Sequence, residues 1–344
     1  MRLISFCLFI LFLSSCKKAV SSFSLDTNEL KNGFLVLNEG LFNLNNASLS
    51  WMDLSTGKVT EDLFLQKTGR KLGDTGNDLL RYGNKIYIIV NVSSTVEILN
   101  AKTGVSIKQL EMIHNGKAKQ PRNLACYGGK VFISCFDGYV DVIDTVGLQI
   151  EKRIKVGDNP ENMLVVNDRL FVSNSGGLNP SLDSSISVID CKSLVELDKI
   201  IVGKNPGKIV AQNDSTLFVH VRGDYSTFPS VLKKVNVGIS KNQETISLKI
   251  SGIEKMENLL LIYTSESVSL YDMKTNATIN SDFIPLNGIK TLYRIQYVEV
   301  LKQLFVFDAN AYTNSGYVHR FSNSGEFIQK IHVGLNPNSL IYYE

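Results

Sequence analysis

A five-residue phrase, Val-Gly-x-Asn-Pro, occurs three times in this chain, at 156–160, 202–206 and 333–337, each time leading into a short apolar run. From Pro160 to Pro206 is 46 residues, and from Pro206 to Pro337 is 131, close to three further units of about 44. A period in this range is the signature of a β-propeller, in which each repeat is one small sheet that buries its faces only against its neighbours. Degenerate copies complete the series. Gly73–Leu80 followed by Lys85–Val90 matches Gly157–Leu164 followed by Arg169–Val172, and Pro121–Leu124 followed by Lys130–Ser134 is another copy. Weaker units without the proline surround Leu259–Tyr263 and Gln303–Phe307.

The clearest unit divides into four strands, Asn162–Val166, Arg169–Ser173, Ser185–Asp190 and Glu196–Val202, rich in Val, Ile and Leu and separated by Asn, Asp, Gly or Ser. Two segments lie outside this scheme and complete each other. Gly33–Asn38 has the character of a second strand with nothing before it, and Pro337–Tyr343 that of a first strand with nothing after it. Pairing the C-terminal strand with the N-terminal three closes the ring and removes the edges an open sheet would expose. First strands near 77, 121, 160, 206, 250, 292 and 338 predict an all-β fold, a seven-bladed β-propeller.

The N-terminus bears on where such a domain resides. Met1-Arg2, the apolar run Leu3–Leu13 and the small-residue site Leu13-Ser14-Ser15-Cys16 resemble a bacterial lipoprotein signal peptide with its lipobox. The run is too short to span a bilayer as a retained helix. The expected organisation is a signal peptide at 1–15, a lipidated tether at 16–32 beginning with an acylated Cys16, and the propeller at 33–344. Several acyl chains on one residue exceed what stable anchoring requires. The alternative is an ordinary signal peptide in which Cys16 is incidental.

With 44% apolar and 20% charged residues the chain can bury a large core. Its 36 basic and 33 acidic residues leave a formal charge of +3, or +2 once Arg2 is removed. That is too little for a nucleic-acid footprint, and no basic stripe is interleaved with aromatics. Cys126, Cys135 and Cys191 match no zinc or redox spacing. Free buried thiols are expected, with a Cys126–Cys135 bridge between adjacent strands as the competing arrangement. The four histidines are scattered along the chain with no metal-binding spacing, so no catalytic or metal residues are assigned and no cofactor is expected. Asp144, Asp190 and Asp272 end third strands, where an aspartate caps a tight turn.

Unusual sequence collects in the loops of one end of the ring, where the connection between strands two and three and the connection into the next blade both emerge. These are Asn38–Asn43, Asn91–Ser93, Asn174–Asp183, His220–Ser230 and Asp308–Gly316. Amide side chains, the aromatics Phe42, Tyr225, Phe228 and Tyr312, and Arg222 suit a large polar ligand with an apolar body. Ordinary solvated turns use Asn and Gly as well, which is the competing explanation.

The repeat resembles the YncE-like or "YVTN" propellers over nearly the whole mature chain. Leu37-Asn38-Glu39-Gly40, Ala47-Ser48-Leu49-Ser50, Leu72-Gly73-Asp74, Val90-Asn91-Val92-Ser93 and Pro121-Arg122, together with the lipobox, resemble the surface lipoprotein propellers of Bacteroidetes encoded beside TonB-dependent transporters. The resemblance implies a corrinoid (cobalamin) ligand, a TonB-dependent outer-membrane transporter as partner, and an outer-membrane, cell-surface location. In that reading Asn38, Asn91 and Asn174 hydrogen-bond the peripheral amides, and Arg222, Tyr225, Phe228 and Tyr312 contact the body of the ligand. Glu39, Phe42 and Arg122 complete the expected site. The other classes open to such a chain are a propeller enzyme, lactonase or quinoprotein-like, and a structural cell-surface interaction module.

Overall fold

The computed structural model describes residues 28–238 and 242–344. Seven four-stranded antiparallel sheets form seven blades. From the channel outward, blade 1 is Pro337–Tyr343, Gly33–Asn38, Ser48–Asp53 and Val59–Thr60. The inner strands of blades 2 to 7 are Gly76–Tyr82, Pro121–Tyr127, Pro160–Val166, Pro206–Asn213, Gly252–Met256 and Leu292–Val298, and each touches the next around the ring. The C-terminal strand pairs antiparallel with the N-terminal one, from Gly33 opposite Tyr343 to Leu37 opposite Ser339, which closes the ring as the repeat predicts.

Burial explains the strand sequences. Second strands such as Lys85–Val90 and Lys130–Cys135 are apolar at nearly every position because each is covered on both faces by neighbouring blades. Their residues alternate between gaps: Ile86, Ile88 and Val90 face blade 1, while Tyr87 and Ile89 face blade 3. Seven such apolar clusters fill the seven inter-blade gaps. The outer strand Val195–Ile201 has one face to solvent and alternates exposed with half-buried residues.

The turn aspartates behave as expected. Asp144 accepts from Gly147 N, Asp190 from Lys192 N and Ser193 N, and Asp272 from Lys274 N and Thr275 N. The Cys126–Cys135 bridge is absent. Cys126 stands opposite Val131 and Cys135 opposite Pro121, at far ends of one hairpin, and all three described cysteines are free. The inner strand of blade 4 begins at Pro160 rather than Asn162, since Pro160 already pairs with Asn174. The helix Leu63–Thr68 has no counterpart in the expected strand series. Asp62 caps it by accepting from Leu65 N, and Gly69 ends it in the left-handed region at φ 72°. The signal peptide and most of the expected tether, Cys16 included, lie outside the described residues. The tether's last residues are docked, Leu30 being buried with its N–H on Lys102 O.

Candidate functional site

Each inner strand begins opposite the end of its blade's second strand, which puts both segments on one end of the ring. The residue before the inner strand is left-handed in blades 1 to 5: Asn336 (φ 51°), Thr75 (φ 65°), Gln120 (φ 53°), Asn159 (φ 43°) and Asn205 (φ 58°). Asparagine tolerates this conformation better than most residues, which accounts for the Asn of the repeated phrase. Its amide also ties loops together: Asn336 Nδ2 donates to Gly40 O and Asn159 Nδ2 to Phe136 O.

In blades 1 to 5 the residue following the second strand faces the open end of the ring. In five consecutive blades it is Glu39, Asn91, Phe136, Ser175 and Arg222, and all five line one open cavity of about 480 Å³. Phe42, Arg122, Glu161, Leu178 and Tyr225 complete its wall. An adjoining cavity of about 550 Å³ shares Arg222 and Tyr225 and adds His220 and Phe228. Below them the top of the central channel, about 220 Å³, shares Arg122, Glu161 and Arg222. Together they make a continuous concave end with a polar floor and an aromatic rim.

Fixed side chains build that floor. Arg122 donates to Asn77 Oδ1 at 2.8 Å, lies 3.4 Å from Glu161, and has its guanidinium 4.6 Å from the centre of the Phe136 ring, a cation–π arrangement. The Tyr293 hydroxyl donates to Glu39 at 2.6 Å. Burial, followed by the Glu39 carboxylate, holds that phenol far above its ordinary range. His220 Nε2 is 2.9 Å from Ser230 Oγ, and burial with the nearby Arg222 lowers the imidazole to about 4. A chain of inter-blade bonds runs around the channel. Asp78 accepts from Leu124 N, the Asn123 amide oxygen from Met163 N, and the Asn162 amide oxygen from Ile209 N.

Six of the sequence-predicted residues come together in the cavity shared by the five blades: Glu39, Phe42, Asn91, Arg122, Arg222 and Tyr225. Asn91 is held by its Nδ2 donating to Pro121 O at 2.9 Å. Phe228 lies in the adjoining cavity with Lys204 Nζ 4.2 Å from its ring centre. Tyr312 is half exposed and packs edge-on against Tyr293 at 5.9 Å. Two expectations are corrected. Asn38 and Asn174 are fully buried inside their blades, where each Nδ2 donates to two serine hydroxyls, Ser48 and Ser50 or Ser185 and Ser187. They end the second strand instead of following it, so they point into the sheet packing and not toward a ligand.

Phe136, Glu161 and Tyr293 were missed, although Phe136 occupies the same repeat position as Glu39 and Asn91. Aligning the repeat copies residue by residue was the signal that would have found it. Among the described residues no group of three or more His, Cys, Asp or Glu is placed to hold a metal ion.

The fold is shared with solved structures of low identity. A quinoprotein alcohol dehydrogenase-like protein from Bacteroides thetaiotaomicron VPI-5482 superposes with a TM-score of 0.68 at 14% identity, over 92% of this chain and 79% of that one. Hydrazine synthase of Kuenenia stuttgartiensis gives 0.59 at 14% identity over 74% and 85%, and the computationally designed Ika8 protein 0.58 at 12% over 91% and 92%. No curated protein matches the sequence. The family model described as "Domain of unknown function (DUF5074)" matches residues 32–342, nearly the whole propeller, and the chain belongs to that family.

Proposed function

We propose that the protein is a lipid-anchored outer-membrane binding protein that holds a corrinoid in the open end of its propeller and passes it to a TonB-dependent transporter. The observation that carries the binding part is the use of one repeat position, in five consecutive blades, to line a single concave surface. A ligand touched by Glu39, Asn91, Phe136, Ser175 and Arg222 at once must be broad. It must also carry polar groups around its periphery to meet that mixture of amide, hydroxyl and charged side chains. A corrinoid, with amides around an apolar macrocycle, has this shape and chemistry, and the rim of Phe42, Tyr225 and Phe228 suits its faces. The anchoring and the transporter rest on the resemblance of the N-terminus and loop segments described above.

Titration calorimetry with cyanocobalamin is the test. Binding at micromolar concentration or tighter is expected, with Phe136→Ala weakening it by about 1–3 kcal/mol if the ring is a central contact. No heat at micromolar protein would overturn the assignment.

A further inference from the structure

The channel beneath the concavity is built differently from the rest of the site. Its lining holds four cationic side chains, Arg122, Lys208, Arg222 and Arg294, and one carboxylate, Glu161. Two of the cations are already matched: Arg122 by Glu161 at 3.4 Å, and Lys208 by Glu254 at 3.1 Å. Arg222 and Arg294 have no carboxylate within ion-pair distance among the described residues, and Arg222 meets only the Asn205 amide oxygen at 3.4 Å. The buried Asp78 carboxylate nearby is occupied by Leu79 N, Leu124 N and Asn123 Nδ2. His220 adds no negative charge. Two half-buried guanidiniums therefore face a narrow cavity without a directly paired carboxylate, Asp78 acting on Arg294 only through space, an arrangement that costs desolvation free energy unless an anion enters.

Glycines make room for this arrangement. Where blades 3 and 4 have Arg122 and Glu161 on the inner strand, blade 5 has Gly207. A Cβ there would lie 2.9 Å from Arg222 Cζ and 3.0 Å from its Nη2. In blade 6 a side chain on Gly252 would collide with the ring and hydroxyl of Tyr263. Both glycines thus let a residue at or just past the end of the second strand, Arg222 or Tyr263, reach across the inner strand into the channel, whose wall both form.

We propose that the top of the channel is a subsite for a phosphate or phosphodiester group. This deepens the binding reading above, since the group would belong to the ligand held in the concavity. The cations come from blades 3, 5 and 7, so they surround the channel instead of lining one wall. That distribution fits the tetrahedral oxygens of a phosphoryl group better than a planar carboxylate, and guanidinium donors favour such oxyanions. In a cobalamin the group is the phosphodiester of the nucleotide loop, which cobinamide lacks.

Two measurements test it. The first follows inorganic phosphate by ³¹P NMR against the protein in phosphate-free, low-chloride buffer. Saturable broadening is expected, at least tenfold weaker in Arg294→Gln and partly restored in Arg294→Lys; Arg222→Gln takes its place if Arg294→Gln no longer melts cooperatively. The second compares cyanocobalamin with dicyanocobinamide by calorimetry. Cyanocobalamin should bind at least tenfold tighter, and Arg294→Gln should close the gap by weakening cyanocobalamin alone. Phosphate binding that Arg294→Gln abolishes, with neither corrinoid bound, keeps the subsite and removes the corrinoid. Equal corrinoid affinities indifferent to Arg294→Gln, or no phosphate binding at all, overturn the subsite while leaving the corrinoid reading to its own test.

Discussion

A single residue position separates the side chains that hold the blades together from those that face the open cavity. At the end of the second strand Asn38 and Asn174 turn inward, and the glycine of the preceding Val-Gly-x-Asn-Pro phrase gives them space. A Cβ on Gly334 would lie 2.6 Å from Asn38 Nδ2, and one on Gly157 2.5 Å from Asn174 Cγ. One residue later Glu39 and Ser175 line the cavity. The phrase is thus a packing device: the buried valine anchors the chain, the glycine receives the neighbouring asparagine, the left-handed asparagine turns the chain, and proline starts the inner strand. Replacing Asn174 by Ala removes a fully buried amide from two serine hydroxyls, and a loss of about 1–3 kcal/mol in denaturant unfolding is expected. Cyanocobalamin affinity should stay within about twofold of the wild type, because Asn174 is buried in the sheet and does not line the cavity.

 At this scale the sequence showed which residues were unusual, but one step along the strand decided which way each side chain pointed.

At the scale of the element, the second strands were the most legible part of the chain. Their unbroken apolar runs follow from burial on both faces, and six of the seven were placed from the sequence to within a residue or so, including the weak copies at Leu259–Tyr263 and Gln303–Asp308; the exception is Thr216–Val221, whose end at His220 was read as the start of a loop. The two ends of the chain were equally legible, because each lacked the partner strands that the repeat requires. In the closed blade Leu340 and Tyr343 are buried, while Ile341 and Tyr342 are only half-buried. Tyr343 packs edge-on against Trp51 at 5.4 Å, and Tyr342 lies 5.6 Å from Phe34. A chain ending at Asn336 loses these contacts and leaves the Gly33–Asn38 strand with an open edge facing the channel. At about 1.5–3 kcal/mol per fully buried large apolar side chain, the loss from Leu340 and Tyr343 alone is a large part of a typical domain's stability. The truncated protein is therefore expected to melt far below the full chain or not to fold, and an unchanged melting curve would show that the closure contributes little. The helix Leu63–Thr68 was illegible by comparison, since six residues carry too little periodicity to stand out from a loop.

For the whole molecule, the anchor and the propeller set separate questions. Cys16 lies outside the described residues, so its acylation rests on the Leu-Ser-Ser-Cys site alone. Cys16→Ala is expected to move the protein from the membrane fraction to the soluble fraction in a detergent-partition assay, and retention in the membrane would refute lipid anchoring. The number of blades, their order and the closure of the ring were determined by the sequence by itself, because a repeat that can bury its faces only against its neighbours leaves few other ways to satisfy its strands. The site was decided by the tertiary structure. Residues 39, 91, 136, 175 and 222 are far apart in the chain and differ in type, so no local pattern marks them as a group. They meet because the ring brings the same position of five successive blades to one concave end. The unmatched charge of Arg222 and Arg294 likewise exists only once the blades surround a channel, since whether a cation has a partner depends on distances that the linear order does not contain.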